Sequence, residues 1–183
     1  TLIKNGTVID PDSGRHERAD VAFIRGRIAA VDRDIPLDRA GEAYDAKGCI
    51  VTPGLIDLHS HVFHKMTSVG IDPDAVGART GVTTWVDAGS AGAYTITGFR
   101  DFIVRPALVR IYAFMNISCI GLIAYDFELT HAAYANPHLF ELMLKGNRDL
   151  VIGGKVRLGA STVGENGYES LKIARQALEK SGQ

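Results

Sequence analysis

The sequence is poor in cysteine: of its 183 residues only Cys49 and Cys119 are thiols. Two cysteines make neither a disulfide framework nor a cysteine-based zinc knuckle, and a reduced, cytoplasmic setting is the simplest expectation. An excess of charge of either sign is lacking too. Lys and Arg total 20 against 21 Asp and Glu, a formal net charge of −1. That balance removes any global electrostatic case for nucleic acid or an anionic membrane as partner. Long apolar runs are missing. The most hydrophobic stretch, Val109 to Tyr125, is broken by Arg110, Asn116 and Ser118 and makes a poor membrane span. The opening Thr1-Leu2-Ile3-Lys4-Asn5 lacks the charged-then-apolar order of a signal peptide. What is present is ordinary for a globular protein, 46% hydrophobic and 22% charged residues, and argues against disorder. Twenty glycines speak for many tight turns over a helical bundle.

Residues 1–52 read as short, half-buried antiparallel strands. These are Leu2–Ile9, then Ala19–Ile24 and Ile28–Val31 about the hairpin Arg25-Gly26-Arg27, and a further strand within Ala43–Val51. After residue 52 the pattern becomes strand, loop, helix, four times over, with strands expected at 55–62, 82–88, 109–116 and 150–158. Asp72-Pro73 and Asn136-Pro137 open helices with a capping side chain and proline at the first helical position. A further helix is expected around 96–104, and Tyr168, Leu171, Ala174 and Leu178 form the stripe of a last one. Four β/α units in series imply a parallel sheet flanked by helices. A Rossmann sheet would carry a glycine-rich loop after its first strand, where His59-Ser60-His61-Val62-Phe63-His64 stands instead. A (β/α)8 barrel needs about 250 residues, and about 130 follow residue 52. The expected fold is α/β: residues 53–183 as the first four units of a (β/α)8 TIM-like barrel, its second half absent. Residues 1–52 are expected as the N-terminal part of a β-sandwich domain.

Chemistry concentrates at two points. His59 and His61, two apart on a strand, point to the same side and converge at its C-terminal end, where barrel sites lie. A pair of neutral imidazoles suits Zn²⁺ and similar metals. Asp57 shares their parity one layer deeper, where it is expected to orient a ligand. On the residues alone, the pair reads equally as two buried histidines satisfied by hydrogen bonds. Lys155, in Gly153-Gly154-Lys155-Val156-Arg157, is expected mid-strand, where a bare ammonium facing a barrel interior is costly. Its other reading is a stem snorkelling to solvent from a strand end. His64 has the wrong parity for a ligand; His16, His131 and His138 read as exposed or helix-flanking residues. Asp87 reads as a cap or supporting residue, and Cys119 as a buried inert thiol.

The run Val51-Thr52-Pro53-Gly54-Leu55-Ile56-Asp57-Leu58-His59-Ser60-His61 resembles the amidohydrolase-superfamily signature V-x-P-G-x-I-D-x-H-x-H. Ile3 to Pro11 and Ala19 to Val31 are similar to the first sandwich strands of the same families, so the resemblance covers essentially the whole chain. It implies a metal-dependent hydrolase acting on amide or ester bonds of small molecules through a metal-activated hydroxide. Two divalent ions, expected as Zn²⁺, would be held by His59, His61 and a carboxylated Lys155, which matches the bridging lysine of binuclear members. Two more histidines and a proton-shuttling Asp are implied beyond Gln183. No catalytic residue is therefore assigned, and a chain ending there is expected to be inactive alone. The Gly89-Ser90-Ala91-Gly92 turn looks like the deacetylase and D-aminoacylase branch, with Ser90 and Gly92 expected on a loop facing the substrate. Dihydroorotases carry an arginine two residues after the second histidine; Phe63 stands there, which disfavours that activity. The rival readings are a mononuclear purine-type deaminase, with Lys155 uncarboxylated, and a non-catalytic scaffold relative. Relatives of the second kind lose metal histidines that are kept here. The expected partner is a small-molecule substrate, with neither nucleic acid nor membrane; self-association stays open.

Overall fold

Period-two alternation in the first residues produces β1 (Leu2–Asp10), the centre of the N-terminal sheet. The computed structural model of the protein describes residues 1–123 and 125–182, which divide into the units Thr1–Gly54 and Leu55–Gln183. In the first unit β1 pairs antiparallel with β2 (Arg15–Ile24), and β2 with β3 (Arg27–Asp32). The expected antiparallel strand across Ala43–Val51 is instead two short ones, β4 (Ala43–Asp45) and β5 (Ile50–Val51), both parallel to β1. A turn from Ala46 to Cys49 with Gly48 at φ +80° separates them, a conformation that glycine adopts without a steric penalty. These five strands form one sheet, with Val8, Ala19 and Val21 as its buried apolar centre.

In the second unit β6 (Leu55–Ser60), β7 (Val82–Gly92), β8 (Arg110–Asn116) and β9 (Val151–Lys155) lie in that order and pair in parallel. Helices intervene, as parallel pairing requires. The helix α1 (Pro73–Thr80) starts because Asp72 accepts from the N–H groups of Asp74 and Ala75, and it stops at Gly81 in the left-handed region. Next, α2 (Ile96–Phe99) runs on through a π-helical turn at Arg100–Val104. Asn136 caps α3 (Pro137–Gly146) through the Leu139 N–H; α4 (Ala160–Val163) and α5 (Glu169–Ser181) follow β9.

Two strand ends differ from expectation, and both matter for the site. β7 continues to Gly92, so Ser90 and Gly92 belong to a strand and not to a loop. Every residue from Trp85 to Gly92 is buried, the mark of a strand covered on both faces. β9 stops at Lys155, which therefore ends the strand and does not sit in its middle. The core between sheet and helices includes Trp85, Ile111, Met115, Phe140, Leu144 and Ala174. Phe63 joins it edge-on to Phe99, ring centroids 5.1 Å apart. Among the described residues no helix is long and apolar enough to cross a membrane.

Candidate metal centre

Parallel strands bring all their C-terminal ends to one side of a sheet, and His59 and Lys155 stand at the ends of β6 and β9. His61 follows β6 directly. The imidazoles of His59 and His61 are 5.9 Å apart, centroid to centroid, and nearly perpendicular. His59 is exposed and His61 half-buried. Burial first, then the neighbouring His59, Lys155 and Arg157, push the His61 pKa down to about 4. At neutral pH His61 is therefore an uncharged imidazole, the form with a lone pair for a metal.

The β6–β7 register pairs Ser60 with Asp87, which delivers a buried carboxylate beside His61. Asp87 is fully buried; it accepts from the Val62 N–H at 2.8 Å and the Ser90 N–H at 2.6 Å. Burial raises its pKa, and hydrogen bonds from Val62, Ser90 and Gly89 oppose the rise. The Ser90 hydroxyl lies 3.0 Å from His61 Nδ1 and is likewise fully buried.

Ser90, Gly92 and Asp57, the other residues expected at the site, each bond within the protein. Ser90 lies buried within β7 and not on a loop, its hydroxyl against the His61 ring. Gly92 is buried with its N–H bonded to Thr95 Oγ1. A Cβ there would lie 1.9 Å from the Ser118 carbonyl oxygen, so Gly92 is needed for the close approach of two backbone segments. Asp57 accepts from the main-chain N–H of His59 at 2.9 Å, a bond to the backbone of a residue expected as a ligand.

Lys155 pairs in register with Asn116 of β8 and is half-buried. Its pKa is lowered by burial and then by Arg157, against the pull of Glu128 and Asp87. A buried cluster flanks it that was not singled out from the sequence. Glu128 is fully buried and takes the Arg157 guanidinium at 3.1 Å and the Asn116 amide at 3.3 Å. Arg157 in turn stacks over Tyr125, 4.6 Å from the ring centroid. Glu128 sits in an irregular segment far from its partners in sequence, and no local pattern marks it. Asp87, which reads from the sequence as a cap or supporting residue, is a buried acceptor within β7.

These residues fit one side of a divalent-metal centre. Two imidazoles, one kept neutral, stand near a lysine whose ammonium is disfavoured, and a lysine amine carrying a carboxylate would add oxygen donors. Among the described residues no group of three or more His, Cys, Asp or Glu side chains gathers as a metal cage. His64, by contrast, turns Nδ1 to the Val62 carbonyl at 3.4 Å, and Cys119 is buried with its thiol pKa raised by burial.

No protein-family model matches the chain. A deacetylase of Agrobacterium fabrum is 37% identical over 153 residues, which are 82% of this chain and 38% of that protein. The solved structure of a dihydroorotase aligns with a TM-score of 0.90 and 31% identity over 99% of this chain and 48% of its own. An adenine deaminase aligns with a TM-score of 0.84 and 33% identity, covering 99% of this chain and 47% of its own. The chain thus spans about half, or less, of the length of the proteins it matches. The likeness spans both the N-terminal strands and the parallel sheet, and the chain belongs to the amidohydrolase superfamily, corresponding to the N-terminal part of its members.

Proposed function

We propose that this chain carries the first metal-binding strands of a hydrolase that cleaves amide or ester bonds of small molecules, of the deacetylase kind. The observation that carries the reading is the placement of His59, His61 and Lys155 at the C-terminal ends of parallel strands on one sheet. His59 and His61 offer imidazole nitrogens. Lys155, with its ammonium disfavoured by burial and by Arg157, is suited to react as the free amine with CO₂; a carbamate forms and one proton leaves. The product is an anionic oxygen ligand, which suits zinc as well as the imidazoles do. A pair of zinc ions, when bound, supplies a Lewis acid for the carbonyl and acidifies a water molecule towards neutrality. The Phe63 side chain is buried against Phe99, so it cannot serve as a carboxylate-binding group; this supports an acyl-group substrate over dihydroorotate.

The test is metal analysis and hydrolysis by the full-length protein with a panel of N-acetyl and O-acetyl compounds. Zinc content should fall in His59→Ala and His61→Ala, and acetate release should fall with it. Unchanged zinc in both variants overturns the metal-centre reading. The adenine deaminase likeness favours a second reading, a purine-type deaminase with one metal and an unmodified Lys155. Ammonia release from purines with one zinc per chain would select it.

A further inference from the structure

We infer that Asn116 and Glu128 are positioning residues for Lys155, closing with Gly89 and Arg157 a circuit of contacts that fixes where the lysine stem runs and so where its amine stands. The inference rests on the metal-centre reading and adds to it two side chains that act through the lysine.

The circuit can be followed bond by bond. Asn116, at the end of β8, is the register partner of Lys155, and the Ile117 N–H next to it donates to the Lys155 carbonyl at 2.9 Å. The Asn116 amide oxygen accepts from the Ser118 N–H at 3.0 Å, so the amide nitrogen faces the other way with two protons to give. One goes to the Gly89 carbonyl at 3.1 Å and the other to Glu128 Oε1 at 3.3 Å. Gly89 in turn lies against the lysine stem, so close that a Cβ on it would stand 2.6 Å from Lys155 Cβ. The other carboxylate oxygen, Glu128 Oε2, takes the Arg157 guanidinium at 3.1 Å, and Arg157 stands two residues after Lys155 in the chain. Glu128 is itself fixed through its main chain, where its carbonyl accepts from the Ser118 hydroxyl at 2.7 Å. Lys155 is therefore bracketed from β7, from β8 and from its own chain by groups tied to one carboxylate. Asn116, Ser118 and Glu128 are all 0% exposed, and bonds shielded from water in this way are at their strongest. A flexible four-carbon stem gains much from such a brace, since its amine is otherwise spread over many rotamers. None of these bonds uses the amine, which stays available at the site.

The experiment is a double-mutant cycle on zinc affinity in the full-length protein, read by competition with a chelator. Asn116→Ala should weaken zinc binding about ten- to a hundredfold when Lys155 is present. It should have no further effect once Lys155→Ala has removed the stem it positions. A purely structural role would weaken zinc equally in both backgrounds, because a general loosening of β8 does not depend on the lysine. Circular dichroism and urea denaturation check the fold. Glu128→Gln combined with Arg157→Met opens the circuit at its second link without leaving a buried charge unpaired. This pair should show the same pattern, and it carries the test if Asn116→Ala does not fold. Equal losses in both backgrounds, or no loss beside an intact lysine, overturn the brace. If Lys155→Ala binds zinc as tightly as the unmodified protein, the lysine's place in the metal centre fails and the brace with it. If Lys155→Ala weakens zinc binding while the variants of the circuit do not, only the brace fails.

Discussion

Gly89 lies directly against the side chain of Lys155: a Cβ at position 89 would stand 2.5 Å from Lys155 Cγ and 2.6 Å from its Cβ. The glycine is at φ +87°, where a side chain is strained in any case. β7 thereby leaves a hollow in which the lysine stem runs, and the position of the amine depends on an absent methyl group two strands away.

Gly89→Ala is therefore expected to disturb the site and the backbone together. The strained φ costs about 1–3 kcal/mol, and the lysine stem, being flexible, yields and carries its amine away. Zinc content should drop further than the loss of thermal stability explains. Gly92→Ala is the contrast: its Cβ would meet the Ser118 carbonyl at 1.9 Å and main-chain atoms of Cys119 and Gly121 at 2.7 Å. Backbone cannot move aside as a side chain can, so a destabilisation of about 3 kcal/mol or more is expected. Urea denaturation of both variants, alongside zinc analysis, separates the two effects.

On the proposed two-metal hydrolase reading, Lys155→Ala in the full-length protein should remove one metal ion and most of the activity. Short carboxylic acids such as formate should restore part of both by standing in for the carboxylate that Lys155 would carry. Rescue measured by zinc stoichiometry and acetate release is the check. A protein that keeps full zinc and turnover without this lysine would favour the one-metal deaminase.

Acid should loosen the N-terminal sheet through Asp20. Burial pushes the pKa of this carboxyl up, but the bonds from the Asn5 N–H, Lys4 and the Ile35 N–H outweigh it, and the net shift is downwards from 3.8. A carboxyl with a depressed folded pKa binds fewer protons folded than unfolded. Its stabilisation is therefore present above about pH 4 and is lost as the pH falls through the folded value. Asp20→Asn should cost about 2 kcal/mol at neutral pH and flatten the decline in melting temperature on the acid side of about pH 4. An unchanged acid slope would show that the carboxyl does not carry it.

Phe63→Arg should not introduce carboxylate recognition. Phe63 is 1% exposed and packed edge-on to Phe99, so the guanidinium would enter a core. A loss of about 3–5 kcal/mol, the cost of emptying a buried aromatic site, is expected in thermal melts. A stable variant that hydrolyses dihydroorotate would contradict the packing described for this position.

Local chemistry determined much of this protein in one dimension. The Asp72-Pro73 and Asn136-Pro137 helix starts are set by a side chain reaching two or three residues along its own chain, which a linear reading captures. The parity of His59 and His61 follows from the two-residue period of a strand, and their shared setting at the end of β6 follows with it. Only the tertiary structure decided the rest. Asp87 meets Val62 25 residues away and Ser90 meets His61 across 29. Glu128 meets Arg157 across another 29. Those contacts depend on β-strand register and on how a loop folds back, which no run of neighbouring residues specifies. For that reason Ser90 and Gly92 read as loop residues facing a substrate, whereas burial on both faces of β7 makes them parts of a strand. The same burial sets the Ser90 hydroxyl beside the His61 ring.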